Sequence, residues 1–291
     1  MHGVSTALRD GAKEKRSPFR RPGRRRRAAR ATAQIEPLDE NAPSLVVATY
    51  NVHACVGTDR RYDPARVAAV LRELAADIIS LQEVGSERPG KPLPDQAAFL
   101  AEETGLQLVS GPNRSYRRSR FCNAILTRLP VRAVRYIDLS IPDCEPRGAL
   151  DVDLDAGTQP LRVIATHFGL RGSERRAQTL RLLAALAGDR TAAGTAAAPA
   201  DGAVLMMGDL NEWRGRRGGI RALDRQLGHA PAPRTFPSWW PLLPLDRIYA
   251  APPALVRDIT VHRSPLARLA SDHLPLRGRL AWRANGVRPA V

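Results

Sequence analysis

The most constraining stretch of this chain is a short apolar run that ends in polar side chains, Ala203-Val204-Leu205-Met206-Met207 followed by Gly208-Asp209-Leu210-Asn211-Glu212-Trp213. The run is too short for a helix and suits a buried strand. In an extended or tightly turning segment, residues i and i+2 point the same way, so Asp209 and Asn211 project together from the strand end. A carboxylate beside an amide that both donates and accepts can hold a water, a divalent metal or a phosphate oxygen. The same spacing also describes an Asx turn closing a strand. The rest of the chain has to decide between them.

The pattern of apolar strand and terminal polar residue recurs. Leu45–Tyr50 reads as a strand ending at Asn51, and Asp77–Val84 as a second that carries Glu83. Between them Asp63-Pro64 opens a helix with Val67, Val70, Leu71 and Leu74 on one face. Strand–helix–strand order reads as α/β. A proline-rich loop (Pro89, Pro92, Pro94) leads to a helix around 95–104. Short strands follow near 106–110, 121–127, 131–139, 147–155 and 160–167, spaced as in a meander, the last ending at His167. Ser173 is expected to cap a helix, with Glu174 in its first turn and Leu180, Leu183, Ala184 and Ala187 facing inward. Residues 188–202 read as a loop. Asp246 starts another strand, one more lies near 255–261, and Ser271-Asp272-His273 precedes a last strand over 274–282. The expected organisation is a disordered basic tail (1–43), one domain (44–283) and a short C-terminal tail (284–291).

Composition narrows the partners. Lys and Arg number 45 against 29 Asp and Glu, a net charge of +16 in 291 residues. Such an excess favours polyanions: nucleic acid, phosphorylated small molecules or anionic lipid surfaces. The lysines are Lys13, Lys15 and Lys91, so the positive charge is almost all arginine, which grips phosphate with a planar fork. The 3 cysteines (Cys55, Cys122, Cys144) have no C-x-x-C spacing, which argues against a disulfide framework and a zinc site. No apolar run approaches the ~20 residues needed to cross a bilayer, and the basic N-terminus lacks the apolar stretch of an export signal. A soluble, cytoplasmic monomer with no stable membrane insertion and no protein partner is the expectation.

Asn51, Glu83, His167, Asp209 with Asn211, and Asp272 with His273 therefore all stand at or beside strand ends, and Asp246 begins a strand of its own. Singly, each has a plain explanation: an exposed strand end, a satisfied histidine, a surface ion pair between Asp246 and Arg247. Together they are what a metal-assisted phosphoester hydrolase needs. Hard oxygen ligands hold Mg²⁺ or Mn²⁺, a base activates water, and a cation or imidazolium stabilises the departing oxyanion.

Thr49-Tyr50-Asn51-Val52-His53, Leu81-Gln82-Glu83-Val84, Ala165-Thr166-His167-Phe168, Gly208-Asp209-Leu210-Asn211, Leu245-Asp246-Arg247-Ile248 and Ser271-Asp272-His273 occur in one order. In that order they resemble the endonuclease/exonuclease/phosphatase superfamily, and Glu145–Leu150 and Asn123–Leu126 fit the same pattern. The resemblance implies a deoxyribonuclease-I-like α/β (α+β) fold, a four-layered sandwich of two mixed β-sheets flanked by helices. It implies Glu83 as the principal metal ligand, with Asn51 and Asp272 near the same ion. His273 resembles the imidazole that works on the phosphate, with Asp246 fixing its tautomer. Asp209 would hold or deprotonate the attacking water, and Asn211 would orient a phosphate oxygen. His167 would aid the leaving group or bind phosphate, and Arg147 would clamp a phosphate oxygen.

Departures from the pattern mark this chain. Tyr116–Ile125, where the nuclease branch supplies a carboxylate to its second histidine, contains no acid, so His167 lacks that partner. Position 53 is His where the repair-nuclease branch has an Asp ligand, and Arg247 replaces a common Tyr, placing a further cation near the expected phosphate. Gly85–Pro92 resembles a P-loop, but Pro follows Lys91 where a hydroxyl is needed, so it reads as an ordinary loop beside the site. Trp239-Trp240 could stack bases or enter a lipid interface, and packing beneath the strand of Asp246 is the expected arrangement. The resulting expectation is a phosphodiesterase acting on nucleic acid. A phospholipid or small phosphate ester is the alternative, and an inactive binding module on the same fold the second.

Overall fold

A computed structural model of the chain describes residues 44–85, 95–110, 121–157, 160–188, 203–214 and 219–280. The tails expected over 1–43 and 284–291, the P-loop-like segment after Gly85 and most of the 188–202 loop lie outside these residues. The strands in chain order are β1 (Val46–Asn51), β2 (Ile78–Gly85), β3 (Gln107–Ser110), β4 (Phe121–Thr127), β5 (Val131–Asp138) and β6 (Gly148–Asp155). They continue with β7 (Pro160–His167), β8 (Ala203–Asp209), β9 (Asp246–Ala251), β10 (Val256–Val261) and β11 (Leu276–Leu280). One sheet runs β10-β11-β1-β2-β4-β3 and the other β5-β6-β7-β8-β9. Both are mixed, because β1 pairs parallel with β2 and β7 parallel with β8.

The inner faces of the sheets meet in one core, where Val47, Ile78 and Ile125 pack with Val152, Val163, Leu205 and Ile248. The outer face of the first sheet is covered by α1 (Pro64–Leu74), α2 (Gln96–Thr104) and α5 (Pro265–Ala270), with Val70, Leu74 and Leu100 against Ile79 and Leu81. The outer face of the second is covered by α3 (Gly172–Gly188) and α4 (Gly219–Leu227), with Leu182 and Leu223 against Ile164 and Met206. This is the expected four-layered sandwich. Strands covered on both faces favour apolar side chains, which is why β8 reads as an apolar run, while the buried polar residues of β1 and β2 are hydrogen-bonded, Thr49 to Gln82 (3.2 Å) and Gln82 to Ser80 (2.7 Å).

Several expectations need correction. The strands expected as one meander are divided: β3 and β4 join the first sheet, and only β5, β6 and β7 form an antiparallel meander. Helix α3 starts before Ser173, and the carboxylate of Glu174 reaches back to the Arg171 amide (3.4 Å), the reciprocal half of a capping box. Its inner face is Arg175, Gln178, Thr179 and Leu182, whereas Leu180 is 55% exposed and Ala184 and Ala187 face solvent. Polar side chains point inward there because they bind a neighbouring loop: Gln178 accepts from the Gly169 amide (2.8 Å) and Arg175 donates to Glu212 (3.1 Å). Trp239 and Trp240 do not pack beneath β9 but stand 67% and 61% exposed. They sit in a loop closed by backbone hydrogen bonds between Phe236 and Leu243 (2.7 and 3.1 Å), which turns the intervening residues outward. Helices α4 and α5 were not expected. The Ile220, Leu223, Leu227 spacing and Ser264-Pro265, whose serine caps the Ala267 amide (3.0 Å), are their sequence signatures.

Candidate active site

Strand register assembles the site. In the second sheet His167 pairs with Asp209 and Asp209 with Asp246, so the ends of β7 and β8 and the start of β9 present their polar residues side by side. Gly208 makes this possible. It has φ +154, and a Cβ there would lie 1.8 Å from the Thr166 carbonyl oxygen. In the first sheet β1 ends at Asn51 beside Gln82 of β2. Strand β2 then breaks register with β4 between Leu81 and Val84, and Glu83 takes φ +55. A bulge of this kind re-aims a side chain, and here it delivers Glu83 to the site. Asn211, two residues past the end of β8, also has a positive φ (+49), and its backbone amide donates to Asp209 Oδ1 at 2.8 Å. The Asx turn and the functional pair are thus one structure.

Asn51 joins the two sheets. Its Nδ2 donates to Glu83 Oε1 (2.9 Å) and Asp209 Oδ2 (3.1 Å), while its Oδ1 accepts from the His53 amide (3.1 Å). Asn51 therefore faces the carboxylates with a donor, and it would have to turn its amide over to bind a cation. Asp272 stands on the His53 side, its Oδ1 3.8 Å from His53 Nδ1. Burial raises the Glu83 carboxyl above the usual carboxylate range, and the charges of Asp272 and Asp209 add to the rise against the Asn51 hydrogen bond.

The two histidines are held differently. His273 Nδ1 lies 2.9 Å from Asp246 Oδ2, and its Nε2 lies 3.6 Å from Asp209 Oδ2. Burial disfavours its charged form, but Asp246 and Asp209 outweigh that and raise the imidazole to about 10. His167 meets Arg147 Nη1 at Nδ1 (3.3 Å), and its Nε2 lies 3.6 Å from Asp209 Oδ2 and 3.0 Å from the Asn211 side-chain amide. A guanidinium and an amide nitrogen both only donate, and Asn211 Nδ2 also donates to the Phe168 carbonyl (2.9 Å), so each ring nitrogen faces a donor and the neutral ring accepts at one of the two. Burial, with Arg147 and His273 adding to it, lowers His167 to about 3, so the ring is neutral. Arg147 also pairs with Glu145 (2.8 Å), yet its Nε is buried with no partner. An orphaned donor on a cavity wall is a place for an anionic oxygen.

These groups line one cavity of about 410 Å³, whose polar floor (Glu83, Asp209, His167, His273) faces a wall of Leu170, Trp213, Phe236, Leu243 and Leu245. Among the described residues, the ligand-type atoms of Asp209, Asp246 and His273 lie within 4.8 Å of one another. Two of these belong to the Asp246–His273 dyad, so the carboxylates left for a cation are those toward Glu83. Arg247 is not a cation for the phosphate. It is buried, and Nη1 donates to the carbonyls of Asp246 (2.9 Å) and Pro244. Sequence reading also missed supporting residues. Thr235 donates to Asp246 Oδ2 (2.5 Å), Ser271 donates to the Asn51 carbonyl (2.7 Å), and the Phe236 ring lies 4.9 Å from that of His273. Only the Glu212–Arg175 pair, with Arg175 5.1 Å from the Trp213 ring, left a signal, the acid beside Asn211.

The model of the Endonuclease/Exonuclease/phosphatase family matches residues 48–273. An uncharacterized Escherichia coli protein, YbhP, is 31% identical over 256 residues, covering 80% of this chain and 94% of YbhP. Among solved structures, an endonuclease/exonuclease/phosphatase from Beutenbergia cavernae is 24% identical with TM-score 0.61, covering 85% of this chain and 73% of its own. A mannosyl-6-phosphatase from Bacteroides thetaiotaomicron is 15% identical with TM-score 0.62, covering 82% and 100%. With its six-stranded and five-stranded sheets and a polar cavity at their common edge, the chain belongs to the Endonuclease/Exonuclease/phosphatase family and is a phosphoester hydrolase.

Proposed function

We propose that the chain is a divalent-metal-dependent phosphodiesterase. The observation that carries this is the meeting of Glu83, His167, Asp209, Asn211 and His273 on one cavity floor, from both sheets, with Asn51 bridging Glu83 and Asp209. The donor set fits a hard cation. Glu83 is crowded by the charges of Asp272 and Asp209, and a bound ion would relieve that repulsion. Glu83 and Asp272 would hold Mg²⁺ or Mn²⁺, with Asn51 joining if its amide turns over. Bound there, the ion would draw charge from the phosphoryl oxygens.

The chain's own residues divide the remaining work. Asp209 positions the attacking water and takes its proton. The His273 imidazolium, fixed by Asp246, sits against a phosphoryl oxygen as negative charge develops. Arg147 Nε and the Asn211 amide orient the other oxygens, and the neutral His167 ring stands beside the departing oxygen. An inactive binding module would have no use for this complete set.

Two substrate readings follow from different observations. Nucleic acid, the expectation from sequence, is favoured by the net charge of +16. A phospholipid or small ester is favoured by the apolar wall of Leu170, Trp213, Phe236, Leu243 and Leu245, which stands beside the reacting groups. The wall belongs to the site itself and weighs more. The test is hydrolysis of single-stranded DNA, RNA, phosphatidylglycerol and bis(p-nitrophenyl) phosphate with Mg²⁺, Mn²⁺ or a chelator. Turnover that persists in the chelator, or that survives Glu83→Gln and His273→Ala, would remove the proposal.

A further inference from the structure

The outer turn of the loop between Thr235 and Asp246, from Ser238 to Leu242, touches none of the reacting groups. Phe236–Leu245 reads Phe-Pro-Ser-Trp-Trp-Pro-Leu-Leu-Pro-Leu, without a charged residue. Trp239 and Trp240 occupy its outer turn at 67% and 61% exposure, and Leu242 follows at 50%. Exposing that much apolar surface beside a functional cavity marks an interaction site. The loop is rigid, with Pro237, Pro241 and Pro244 fixing φ, so little conformational freedom is lost on docking. It is also tied to the catalytic segment: Ser238 donates to the Asp272 carbonyl (2.7 Å), and Leu274 donates to Thr235 (2.9 Å). The same loop lines the cavity with Phe236 and Leu243, so whatever the tryptophans rest on is held by a segment that forms part of the cavity wall.

The neighbouring charges identify the partner. The exposed apolar residues around the mouth stand next to arginines: Leu170 by Arg171, Trp213 by Arg214, and Trp239 by Arg268, whose Nη1 donates to the Trp239 carbonyl (3.2 Å). Indole rings seek the boundary between hydrocarbon and water, and arginines beside them meet anionic headgroups. A nucleic-acid stacking surface would instead intersperse cations among the aromatic residues to follow the backbone, and this loop has none. Among the described residues no helix is long and apolar enough to cross a membrane, so the contact is peripheral.

We propose that the Trp239–Trp240 loop is an interfacial anchor that seats the cavity mouth against a bilayer carrying anionic phospholipids. The anchor rests on the phospholipid reading of the cavity for its purpose, but its test is independent of turnover. The full chain is mixed, in chelator, with vesicles of phosphatidylcholine alone or with phosphatidylglycerol, and binding is read by co-sedimentation and tryptophan fluorescence. The anchor requires binding to the anionic vesicles with a blue shift, about tenfold or more weaker in Trp239→Ser/Trp240→Ser and largely kept in Trp239→Phe/Trp240→Phe. A thermal melt within a few degrees of the parent, about 3 °C, shows that the Ser variant folds. No binding by the parent, or equal binding by the Ser variant, would overturn the proposal. So would a selective loss of oligonucleotide binding or of self-association in that variant. Vesicle binding without phospholipid hydrolysis would keep the anchor and remove the substrate reading.

Discussion

The two sides of the cavity hold their histidines in opposite ways. On one side a carboxylate, Asp246, braces His273; on the other a guanidinium, Arg147, braces His167. Both rings are buried, so burial alone would make both neutral. The partner decides. With Asp246 and Asp209 around it His273 keeps its proton, whereas Arg147 adds to burial and keeps His167 neutral. One ring can then stand as a cation against a phosphoryl oxygen while the other offers a single directed N–H. In the sequence the second histidine lacked its carboxylate; its described partner at Nδ1 is a cation.

The largest expected effect of breaking this asymmetry is at His273. His273→Ala should lower kcat/KM for bis(p-nitrophenyl) phosphate about 10³-fold or more, and His167→Ala only about 10–100-fold. Equal losses would mean that the two rings are not specialised. Asp246→Asn keeps the hydrogen bond but removes the charge, and should cost about 100-fold in kcat with KM little changed. Arg147→Met should raise KM through the lost phosphate contact and raise the pKa of His167, visible in the ring ¹⁵N shifts on titration. Thr235→Val leaves Asp246 Oδ2 one donor short and should cost a severalfold loss of kcat, about 1 kcal/mol.

Stability should separate the rings as well. His273 titrates at about 10 in the folded chain against an ordinary 6.5, so its contribution is complete below pH 6.5 and fades as pH rises toward 10. His167 titrates at about 3 against 6.5, so its contribution is complete above pH 6.5 and fades as pH falls toward 3. In melts with chelator present, His273→Gln should flatten the alkaline decline and His167→Gln the acid one.

Much of this was legible in sequence because buried strands leave runs rich in apolar residues, and their ends are marked by polar residues such as Asn51 and His167. The partner of His273 was readable too, since Asp246 follows a motif. What escaped depends on side-chain direction. The inward face of α3 is polar because Arg175 reaches Glu212, and periodicity alone selects Leu180 and Ala184 instead. Arg247 looked free for phosphate, but backbone carbonyls take its donors. The bulge that aims Glu83 and the exposure of Trp239 are set by strand pairing and loop closure, which no local pattern encodes.

The protonation of the two rings is the most direct check. At about pH 7.5, ¹⁵N spectra of the histidine-labelled chain should show His273 with both ring nitrogens protonated and His167 with only one. Finding both rings in the same protonation state would contradict the division of labour between Asp246 and Arg147.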